Sequence, residues 1–385
     1  MKKLLITLVL ACAVNAQAQV IEKIEPASWW IGMEMNTVEF MVYGKDISQL
    51  VAESTTLEVI KSEGLESPNY LFVTATVPVD AKVGNHTLVF RNTKGKKVGR
   101  LSVALGLRAD GSASRKGFSS ADFIYLLTPD RFRNGDASND RVKGMLEGPN
   151  REYIGGRHGG DLAGVIKSLD YFEKMGISSL WLNPVLENNM ETYSYHGYAM
   201  TDLYNVDPRY GTNEQYKELA DKAKEKGIGI IMDQVANHIG SLHPWMSDLP
   251  SDDWVNQWPE FTQTNHMKVS RFDPHAAEVD RKQFTDGWFV ETMPDLNQRN
   301  EKLARYLIQN SIWWVEYLGL HGIRMDTWSY PDKQFLADWT KAILDEYPNF
   351  NIVGEEWVSD PSLISYWQAG TNKMDDYTSY LPSVM

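Results

Sequence analysis

The sequence predicts a multidomain protein in which an N-terminal immunoglobulin-like β-sandwich precedes an incomplete (β/α)8 barrel, or TIM barrel. Short runs of alternating apolar and polar residues fill the first quarter of the chain, which is typical of a sandwich. Further on, strand-like apolar runs alternate with amphipathic segments, and polar residues collect where the apolar runs end. With 385 residues, the chain is long enough for two or three domains with separate cores.

Residues 1–18 have the pattern of a secretory signal peptide. Two lysines give a positive start, residues 4–14 are apolar, and residues 16–18 form an A-x-A cleavage site. Because the apolar run is too short to cross a bilayer, we expect no membrane span. The mature chain is predicted to be exported, to the periplasm in a Gram-negative source and otherwise outside the cell. Cys12 is an alternative site of lipid attachment.

Charge and cysteine content exclude several classes of protein. The formal net charge of −13 argues against a nucleic-acid partner and against a polybasic membrane anchor. A neutral substrate fits this charge. Cys12 is the one cysteine, so the mature chain is predicted to lack disulfides and thiolate metal sites.

Residues 19–109 predict the β-sandwich. The segments 38–42, 71–77 and 86–90 are short strand-like runs, and turn signals rich in glycine, asparagine and aspartate separate such runs. Residues 110–118 are polar and have no hydrophobic period, so they predict a linker.

Residues 119–385 predict the barrel. Two amphipathic helices are predicted at 161–175 and 214–226, each closed by a glycine. Repeated βα units indicate a parallel sheet, either a barrel or an open doubly wound sheet. No glycine-rich phosphate loop follows the first strand, which favours the barrel and predicts no organic cofactor. The predicted strands lie at 123–127, 178–183, 228–233, 322–326 and 351–355.

Two features of the barrel region are unusual. The connection after the third strand, about residues 236–300, is far longer than an ordinary βα loop, so we expect a functional loop or subdomain. Five strands and the start of a sixth can be counted, whereas a barrel has eight. We therefore expect the sequence to be a C-terminally truncated form of a longer protein, with open sheet edges and little activity of its own.

The fourth barrel strand ends in a candidate nucleophile. Arg324 and Asp326 are two residues apart, so their side chains point to the same side of the strand. An arginine beside a buried carboxylate favours its ionised form, which a glycosyl nucleophile needs. The alternative is a structural ion pair at the bottom of the barrel. The position of Asp326 at the carboxyl end of a strand favours the catalytic interpretation.

The fifth strand ends in a candidate proton donor. Alternation places Glu355 on the same face as Trp357, with Glu356 facing away. An apolar ring on the same face would raise the pKa of Glu355 and keep it protonated. We therefore predict that Glu355 is the acid and that Glu356 supports the site or forms a salt bridge.

These motifs resemble the α-amylase family, glycoside hydrolase family 13. Residues 233–238 (DQVANH), 322–326 (GIRMD) and 354–357 (GEEW) are similar to three of its strand-end motifs, in the same order and spacing. Residues 293–297 (MPDLN) and 22–33 resemble segments of the neopullulanase and cyclomaltodextrinase branch. The resemblance covers nearly the whole mature chain.

The resemblance implies roles for further residues. Asp233 resembles a family residue that mainly supports the arginine, so it is not predicted to be catalytic. Residues 195–198 (YHGY) resemble the motif that supplies a histidine and a stacking tyrosine to the sugar being cleaved. Each of these residues, taken alone, is more often a packing residue. The implied substrate-binding set is His196, Tyr198, His238, Arg324 and Trp357.

A metal site is also indicated in the loop after the first barrel strand. Hard oxygen ligands without cysteine favour calcium over zinc, but an Asn/Asp/Gly turn is an equally good interpretation of the residues alone. The spacing is similar to the calcium site of neopullulanase-type enzymes, which favours structural calcium. The predicted ligands are Asn134, Asp136, Asn139, Asp140, Gly159 and Asp161.

Three functions agree with these features. The leading one is a retaining hydrolase that cleaves α-1,4-glucosidic bonds in maltodextrin, cyclodextrin or pullulan through a covalent glycosyl-aspartate intermediate. The second is a transglycosylase with the same intermediate. The third is an impaired glucan-binding fragment, because the family's third carboxylate, in an NHD motif, does not occur after Glu355. Relatives with this type of N-terminal sandwich often dimerise through it, so a homodimer is a further expectation.

Overall fold

A computed structural model describes residues 21–373 and 375–385 of the chain. The predicted signal peptide and Cys12 lie outside the described residues. Within them, no helix combines the length and apolarity that crossing a membrane requires.

The described N-terminal region is a β-sandwich of two antiparallel-rich sheets. Along β3 (Thr37–Gly44), the side chains of Val38, Phe40 and Val42 alternate inward and are fully buried. This period of two is what a strand facing a core requires. The other strands are β1 (Ile21–Glu25), β2 (Ser28–Ile31), β4 (Val51–Glu53), β5 (Glu58–Glu63), β6 (Tyr70–Thr76), β7 (Gly84–Arg91) and β8 (Lys97–Leu107).

The two sheets have the strand orders β1-β3-β6-β5 and β2-β8-β7-β4. Trp29, Phe40 and Phe90 lie in the core between them with 0% exposure. The predicted sandwich is confirmed, and it includes one parallel pair, β2 with β8.

The second region is a parallel sheet whose strands follow chain order. Its strands are β9 (Ile124–Leu127), β10 (Ser179–Leu182), β11 (Gly229–Gln234), β12 (Gly322–Met325), β13 (Ile352–Gly354) and β14 (Ser383–Val384), and each pairs in parallel with the next. All five predicted strand runs correspond to β9–β13. Together with the helices that connect the strands, this sheet confirms the predicted incomplete barrel.

Helices of the described chain pack around this sheet. They are α1 (Pro129–Phe132), α2 (Leu162–Ile166), α3 (Leu169–Lys174), α4 (Asn213–Glu225), α5 (Glu278–Asp286), α6 (Glu301–Leu318), α7 (Lys333–Glu346) and α8 (Pro361–Tyr366). In α4 the Thr212 side chain accepts from the N–H of Gln215 and the Gln215 side chain accepts from the N–H of Thr212, which forms a capping box. Gly227 has φ +72° and ends this helix, as predicted.

The predicted helix 161–175 is wrong as one element, because the structure has two short helices, α2 and α3, in its place. The hydroxyl of Ser168 donates to the carbonyl of Gly164 at 2.8 Å, which competes with the helical backbone bonds. Arg133 donates to the carbonyl of Lys167 (3.2 Å) and to Ser168 Oγ (3.1 Å). These contacts come from a loop distant in sequence, so the helical period could not reveal the break.

The long connection between β11 and α6 folds over the carboxyl edge of the sheet. Its chain returns to the strand ends, where the N–H of Leu296 donates to the carbonyl of Asn237 at 2.8 Å. Trp245 and Trp254 are buried and pack edge-to-face, so both stabilise this region and neither is available to a ligand. We call residues 235–300 the insertion.

Candidate active site

Polar side chains meet at the carboxyl edge of the parallel sheet. Asp326 directly follows β12 and Glu355 directly follows β13. The N–H of Asp326 donates to the carbonyl of Gln234 at 2.8 Å, and the N–H of Glu355 donates to that of Met325 at 3.0 Å. The ladder thus continues past the strand ends and holds both acidic residues on fixed backbone.

Arg324 holds three carboxylates with one guanidinium. Its Nη1 donates to Asp233 Oδ1 at 2.7 Å and to Asp326 Oδ1 at 2.6 Å, and its Nη2 lies 2.6 Å from Glu355 Oε1. The planar fork of arginine suits such branching contacts. Burial raises the pKa of Asp233 to about 7 although Arg324 opposes this shift. The contact with Glu355 was not predicted from the sequence.

The carboxyl groups of Asp326 and Glu355 lie within hydrogen-bonding reach of each other. Burial raises the pKa of Asp326, and burial together with the charge of Asp326 raises the pKa of Glu355. Arg324 favours the ionised form of Asp326, as predicted, but burial outweighs it. Two neighbouring buried carboxyls cannot both ionise cheaply, so the pair retains one proton to a higher pH than a lone carboxyl would.

Trp357 does not supply the apolar environment that was predicted for Glu355. Its side chain is 86% exposed, and β13 ends at Gly354, so strand alternation does not extend to position 357. Burial and Asp326 raise the pKa of Glu355 instead. The prediction of a raised pKa is confirmed, but the reason given for it was wrong.

Tyr198 lies beside the carboxylates and is fixed by its hydroxyl. The hydroxyl donates to Asp233 Oδ2 at 3.0 Å and accepts from the amide nitrogen of Asn183 at 3.0 Å. Its ring is 5.8 Å from the Arg324 guanidinium carbon. The ring is therefore held rigidly in the wall of the site.

Half-buried His196 and buried His238 lie near Tyr198, and both are neutral at ordinary pH. Burial lowers the pKa of His196 to about 4 and that of His238 to about 4. The N–H of Tyr198 donates to His196 Nδ1 at 2.9 Å, which assigns the proton of neutral His196 to Nε2. Among the described residues, His238 Nε2 has no hydrogen-bond partner.

The carboxylates open onto a cavity of about 750 Å³, here called the catalytic cavity. It brings together both predicted catalytic residues and the five predicted substrate-binding residues. Sequence reasoning missed the walls that the insertion and the segment after β12 supply. The length of the insertion signalled a functional loop but did not identify these residues. The missed lining residues include His266, Lys268, Phe289, Met293 and Tyr330.

Backbone strain marks the residue after Asp326. Thr327 has φ +47°, a left-handed conformation that is uncommon for a residue with a branched side chain. In this conformation its N–H donates to Glu355 Oε2 at 2.9 Å. The strained turn thus orients Glu355, as strained residues at functional sites often do.

Glu356 points away from the catalytic pair and contacts the insertion. Its Oε1 lies 3.2 Å from Lys268 Nζ, and its carboxylate is fully buried. Burial raises the pKa of Glu356, and Lys268 opposes this shift. The side chain therefore pairs with a lysine, in agreement with the salt-bridging role expected for it.

The predicted metal ligands are only partly convergent. Asn134 Nδ2 donates to Asp140 Oδ1 at 2.6 Å, and a Cβ on Gly159 would lie 2.5 Å from the same oxygen. Asn139 Oδ1 is buried and finds no hydrogen-bond partner in the described chain. Asn134, Asp140 and Gly159 therefore form one small polar cluster, and Asn139 is the chain neighbour of Asp140.

Asp136 and Asp161 bond to nearby donors instead. Asp136 accepts from the N–H of Ser138 at 3.0 Å, and Asp161 accepts from the N–H groups of Gly135, Asp136 and Gly164 at 2.6–2.9 Å. Within residues 21–373 and 375–385, no three acidic, histidine or cysteine side chains are grouped as metal ligands. A metal here would rely on the Asp140 carboxylate together with amide and carbonyl oxygens.

Comparison with known families gives two matches that together cover most of the chain. Residues 123–380 match the model of the alpha amylase catalytic domain, and residues 23–103 match the N-terminal domain of cyclomaltodextrinase. These spans coincide with the described barrel and sandwich.

Among curated proteins, the chain is 32% identical over 270 residues to a beta/alpha-amylase of Paenibacillus polymyxa, covering 69% of this chain and 20% of that protein. It is 31% identical over 251 residues to a cyclomaltodextrinase of Thermoanaerobacter pseudethanolicus, covering 62% of this chain and 40% of that protein. The solved structure of an Anoxybacillus alpha-amylase superimposes with a TM-score of 0.55 at 31% identity, covering 63% of this chain and 49% of that chain. The chain thus spans between a fifth and about half of the length of these relatives.

Proposed function

Since the chain belongs to the α-amylase family, glycoside hydrolase family 13, we propose that its protein hydrolyses α-1,4-linked glucans. The proposed substrates are maltodextrin, cyclodextrin or pullulan, as for enzymes of the cyclomaltodextrinase and maltogenic amylase type. One observation carries this proposal. The single guanidinium of Arg324 lies 2.6 Å from Asp326 and 2.6 Å from Glu355, and both carboxyls line a sugar-sized cavity.

The proposed reaction is a double displacement with retention of configuration. Glu355 donates its proton to the glycosidic oxygen while Asp326 Oδ attacks the anomeric carbon, so the bond to the leaving sugar breaks as the glycosyl-aspartate bond forms. Glu355 then accepts a proton from water, whose oxygen attacks the anomeric carbon and releases Asp326. The raised pKa of Glu355 supports its role as the first proton donor.

We propose that the sugar at the cleavage point lies against Tyr198. A pyranose ring buries its apolar face on an aromatic ring, and the hydroxyl groups bond to neighbouring polar atoms. His196 is neutral with its proton on Nε2, so it is suited to donate to a sugar hydroxyl. The unpartnered Nε2 of buried His238 supports a second contact of this kind.

We also propose a structural calcium ion in the loop between α1 and α2. Asn134, Asn139, Asp140 and Gly159 fit a hard cation, since the buried Asn139 oxygen has no hydrogen-bond partner in the described chain and Gly159 approaches Asp140 closely. Such an ion would neutralise Asp140 and fix the loop. Export of the mature protein and a homodimer remain predictions.

The test is product analysis of the full-length protein on maltoheptaose and β-cyclodextrin. We expect both to be cleaved with an α-configured product, which proton NMR would detect at early times. The Asp326→Asn variant should lose activity by about three orders of magnitude or more, because the amide cannot form the intermediate. Asp252→Asn, an exposed aspartate of the insertion, is the matched control and should keep full activity.

Three results would contradict the proposal. Cleavage of neither glucan by full-length protein, or unchanged activity of Asp326→Asn, would exclude this hydrolase mechanism. An inverted product would exclude the covalent intermediate. Transfer of the glycosyl group to a second sugar in place of water would assign the protein to the transglycosylases of the same family.

A further inference from the structure

A second cavity of about 810 Å³ lies beside the catalytic cavity, and none of the steps above uses it. Leu363 lines both cavities. The remaining walls come from residues 270–281 of the insertion, from Lys333 at the start of α7, and from residues 362–375 in and after α8. We call it the basic cavity, for the charges described next.

The charge of the basic cavity is opposite to that of the chain as a whole. Two aspartates, Asp273 and Asp375, are the carboxylates among its described lining residues, whereas the net charge of the chain is −13. Cations outnumber them. The lining cations are Arg271, Arg281, Lys333 and Lys373.

Backbone carbonyls, which do not neutralise charge, hold most of these cations. Arg281 Nη2 donates to the carbonyl of Asp273 at 2.7 Å, and Lys373 Nζ donates to the carbonyl of Gln368 at 3.1 Å. Lys333 Nζ does contact Asp375 Oδ2, at 3.1 Å. Among the lining residues the positive charges therefore exceed the negative ones by two, while Asp332 and Glu356 act on Arg271 from behind the wall.

Arg271 is the most confined of the four cations. Its Nη2 donates to the carbonyl of Pro331 at 2.8 Å, while its buried Nε has no hydrogen-bond partner within the described residues. Burial lowers the pKa of Arg271, and burial with the nearby charges of Arg271 and Arg281 lowers the pKa of Lys333. A bound anion would offset the repulsion between Lys333 and the two arginines. It would also accept a hydrogen bond from Arg271 Nε.

The size and the other walls of the basic cavity indicate a ligand larger than a free inorganic ion. Phe272, Pro274 and Leu363 add apolar surface next to the cations. A sugar ring with an attached anion would match this combination of an apolar wall and a positive wall. Because Leu363 lines both cavities, the apolar wall adjoins the catalytic cavity.

We propose that the basic cavity binds a phosphate monoester carried by a sugar of the glucan chain, next to the sugars that occupy the adjoining catalytic cavity. Because this ligand class rests on the proposed function, the first test measures binding without any turnover. Isothermal titration would compare glucose 6-phosphate, glucose and inorganic phosphate on the full chain. We expect glucose 6-phosphate to bind at least about tenfold more tightly than either of the other two, and more weakly at high salt.

Variants locate the binding site. Arg281→Gln combined with Lys373→Met should weaken glucose 6-phosphate binding by about tenfold or more, because two charge-assisted contacts are lost. Lys282→Gln is the matched control, since Lys282 neighbours Arg281 on α5 but lies over the Trp258 ring outside the cavity. Arg281 also holds the backbone of the insertion, so Lys373→Met alone, with an unchanged melting temperature, should show a smaller loss in the same direction.

Some outcomes would overturn this proposal. They are absence of glucose 6-phosphate binding, binding that the double variant leaves unchanged, and inorganic phosphate binding as tightly as glucose 6-phosphate. Failure of the proposed hydrolase function is distinguishable, because it would abolish glucan cleavage without affecting this binding. The Asp326→Asn variant should therefore bind glucose 6-phosphate as the unmodified chain does.

Discussion

Arg324 determines the chemistry of the site at the scale of single residues. One guanidinium contacts Asp233, Asp326 and Glu355 at 2.6–2.7 Å, so the carboxyls proposed as nucleophile and acid lie close together. The arginine stabilises negative charge on both, while burial and mutual repulsion favour a proton on one of them. A site with one ionised and one protonated carboxyl follows from this balance, and retaining glycoside hydrolysis requires both forms.

The replacement Trp357→Ala tests which group sets the pKa of Glu355. The proposed donor must be protonated, so kcat/KM should fall as pH rises through its pKa, and a raised pKa moves this alkaline limb to higher pH. Burial and Asp326 raise this pKa, while Trp357 is 86% exposed. We therefore expect the alkaline limb of the Trp357→Ala profile to stay in place while KM rises severalfold through lost sugar stacking.

Tyr380→Ala is the control, because Tyr380 is exposed and lies outside the catalytic cavity. It should change neither the limb nor KM. A shift of the alkaline limb to lower pH in Trp357→Ala would show that Trp357 does raise the pKa of Glu355.

At the scale of elements, hydrophobic periodicity was sufficient to predict the barrel strands but not the structure of the segments that connect them. The apolar runs predicted β9–β13, because these strands are short and β10–β13 are largely buried on both faces, while β9 is apolar although Leu126 is exposed. The polar residues Asp326 and Glu355 could be placed because they directly follow such runs. By contrast, the break between α2 and α3 depends on Arg133, and the cavity wall depends on Phe289 and Tyr330 meeting across the site. Contacts between distant segments leave no local pattern in the sequence.

The loop between α1 and α2 allows a test of the calcium proposal. We expect calcium to stabilise the chain by about 2–3 kcal/mol at a concentration one hundred times the dissociation constant. Thermal unfolding in calcium and in a chelator should therefore differ by several degrees. The Asp140→Ala variant should lose this difference, because it removes the carboxylate of the Asn134, Asn139 and Gly159 cluster.

The control for this test is Asp170→Ala, an aspartate on the surface of α3 that pairs with Lys226. It should retain the full response to calcium. Identical unfolding with and without the chelator, in protein freed of metal beforehand, would exclude a stabilising calcium site.

At the scale of the whole molecule, the sandwich and the barrel share an interface of aromatic pairs, such as Trp30 with Trp313, and of hydrogen bonds. The N–H of Glu39 in β3 donates to Gln309 Oε1 at 2.8 Å, and Gln309 Nε2 donates back to the carbonyl of Glu39 at 2.7 Å. Residues 110–118, predicted as a linker, lie against the barrel, where the N–H of Gly117 donates to the carbonyl of Asn349 at 2.8 Å. These bonds join the two regions along the backbone, so we expect them to unfold together.

Glu346 is the residue on which this coupling can be tested. Its buried carboxylate, at the end of α7, accepts from the backbone N–H groups of Glu34 (3.1 Å) and Met35 (2.9 Å) in the sandwich. It also lies 2.5 Å from Arg108 Nη1, which follows β8. Glu346→Ala would leave two N–H groups unpaired and would remove the nearer of the two carboxylates beside Arg108, whose Nε stays 3.6 Å from Glu316 Oε2, so we expect a loss of about 2–4 kcal/mol in the free energy of unfolding.

Differential scanning calorimetry would measure this loss and show whether the two regions separate. The unmodified chain should unfold in one transition, and Glu346→Ala should unfold at a lower temperature, with the sandwich and barrel melting apart. Asp345→Ala is the matched control, because this neighbouring side chain is exposed and pairs with Lys341, also exposed. Its effect should be about 0.5 kcal/mol or less. Two transitions in the unmodified chain, or an unchanged Glu346→Ala variant, would mean that the sandwich folds independently of the barrel.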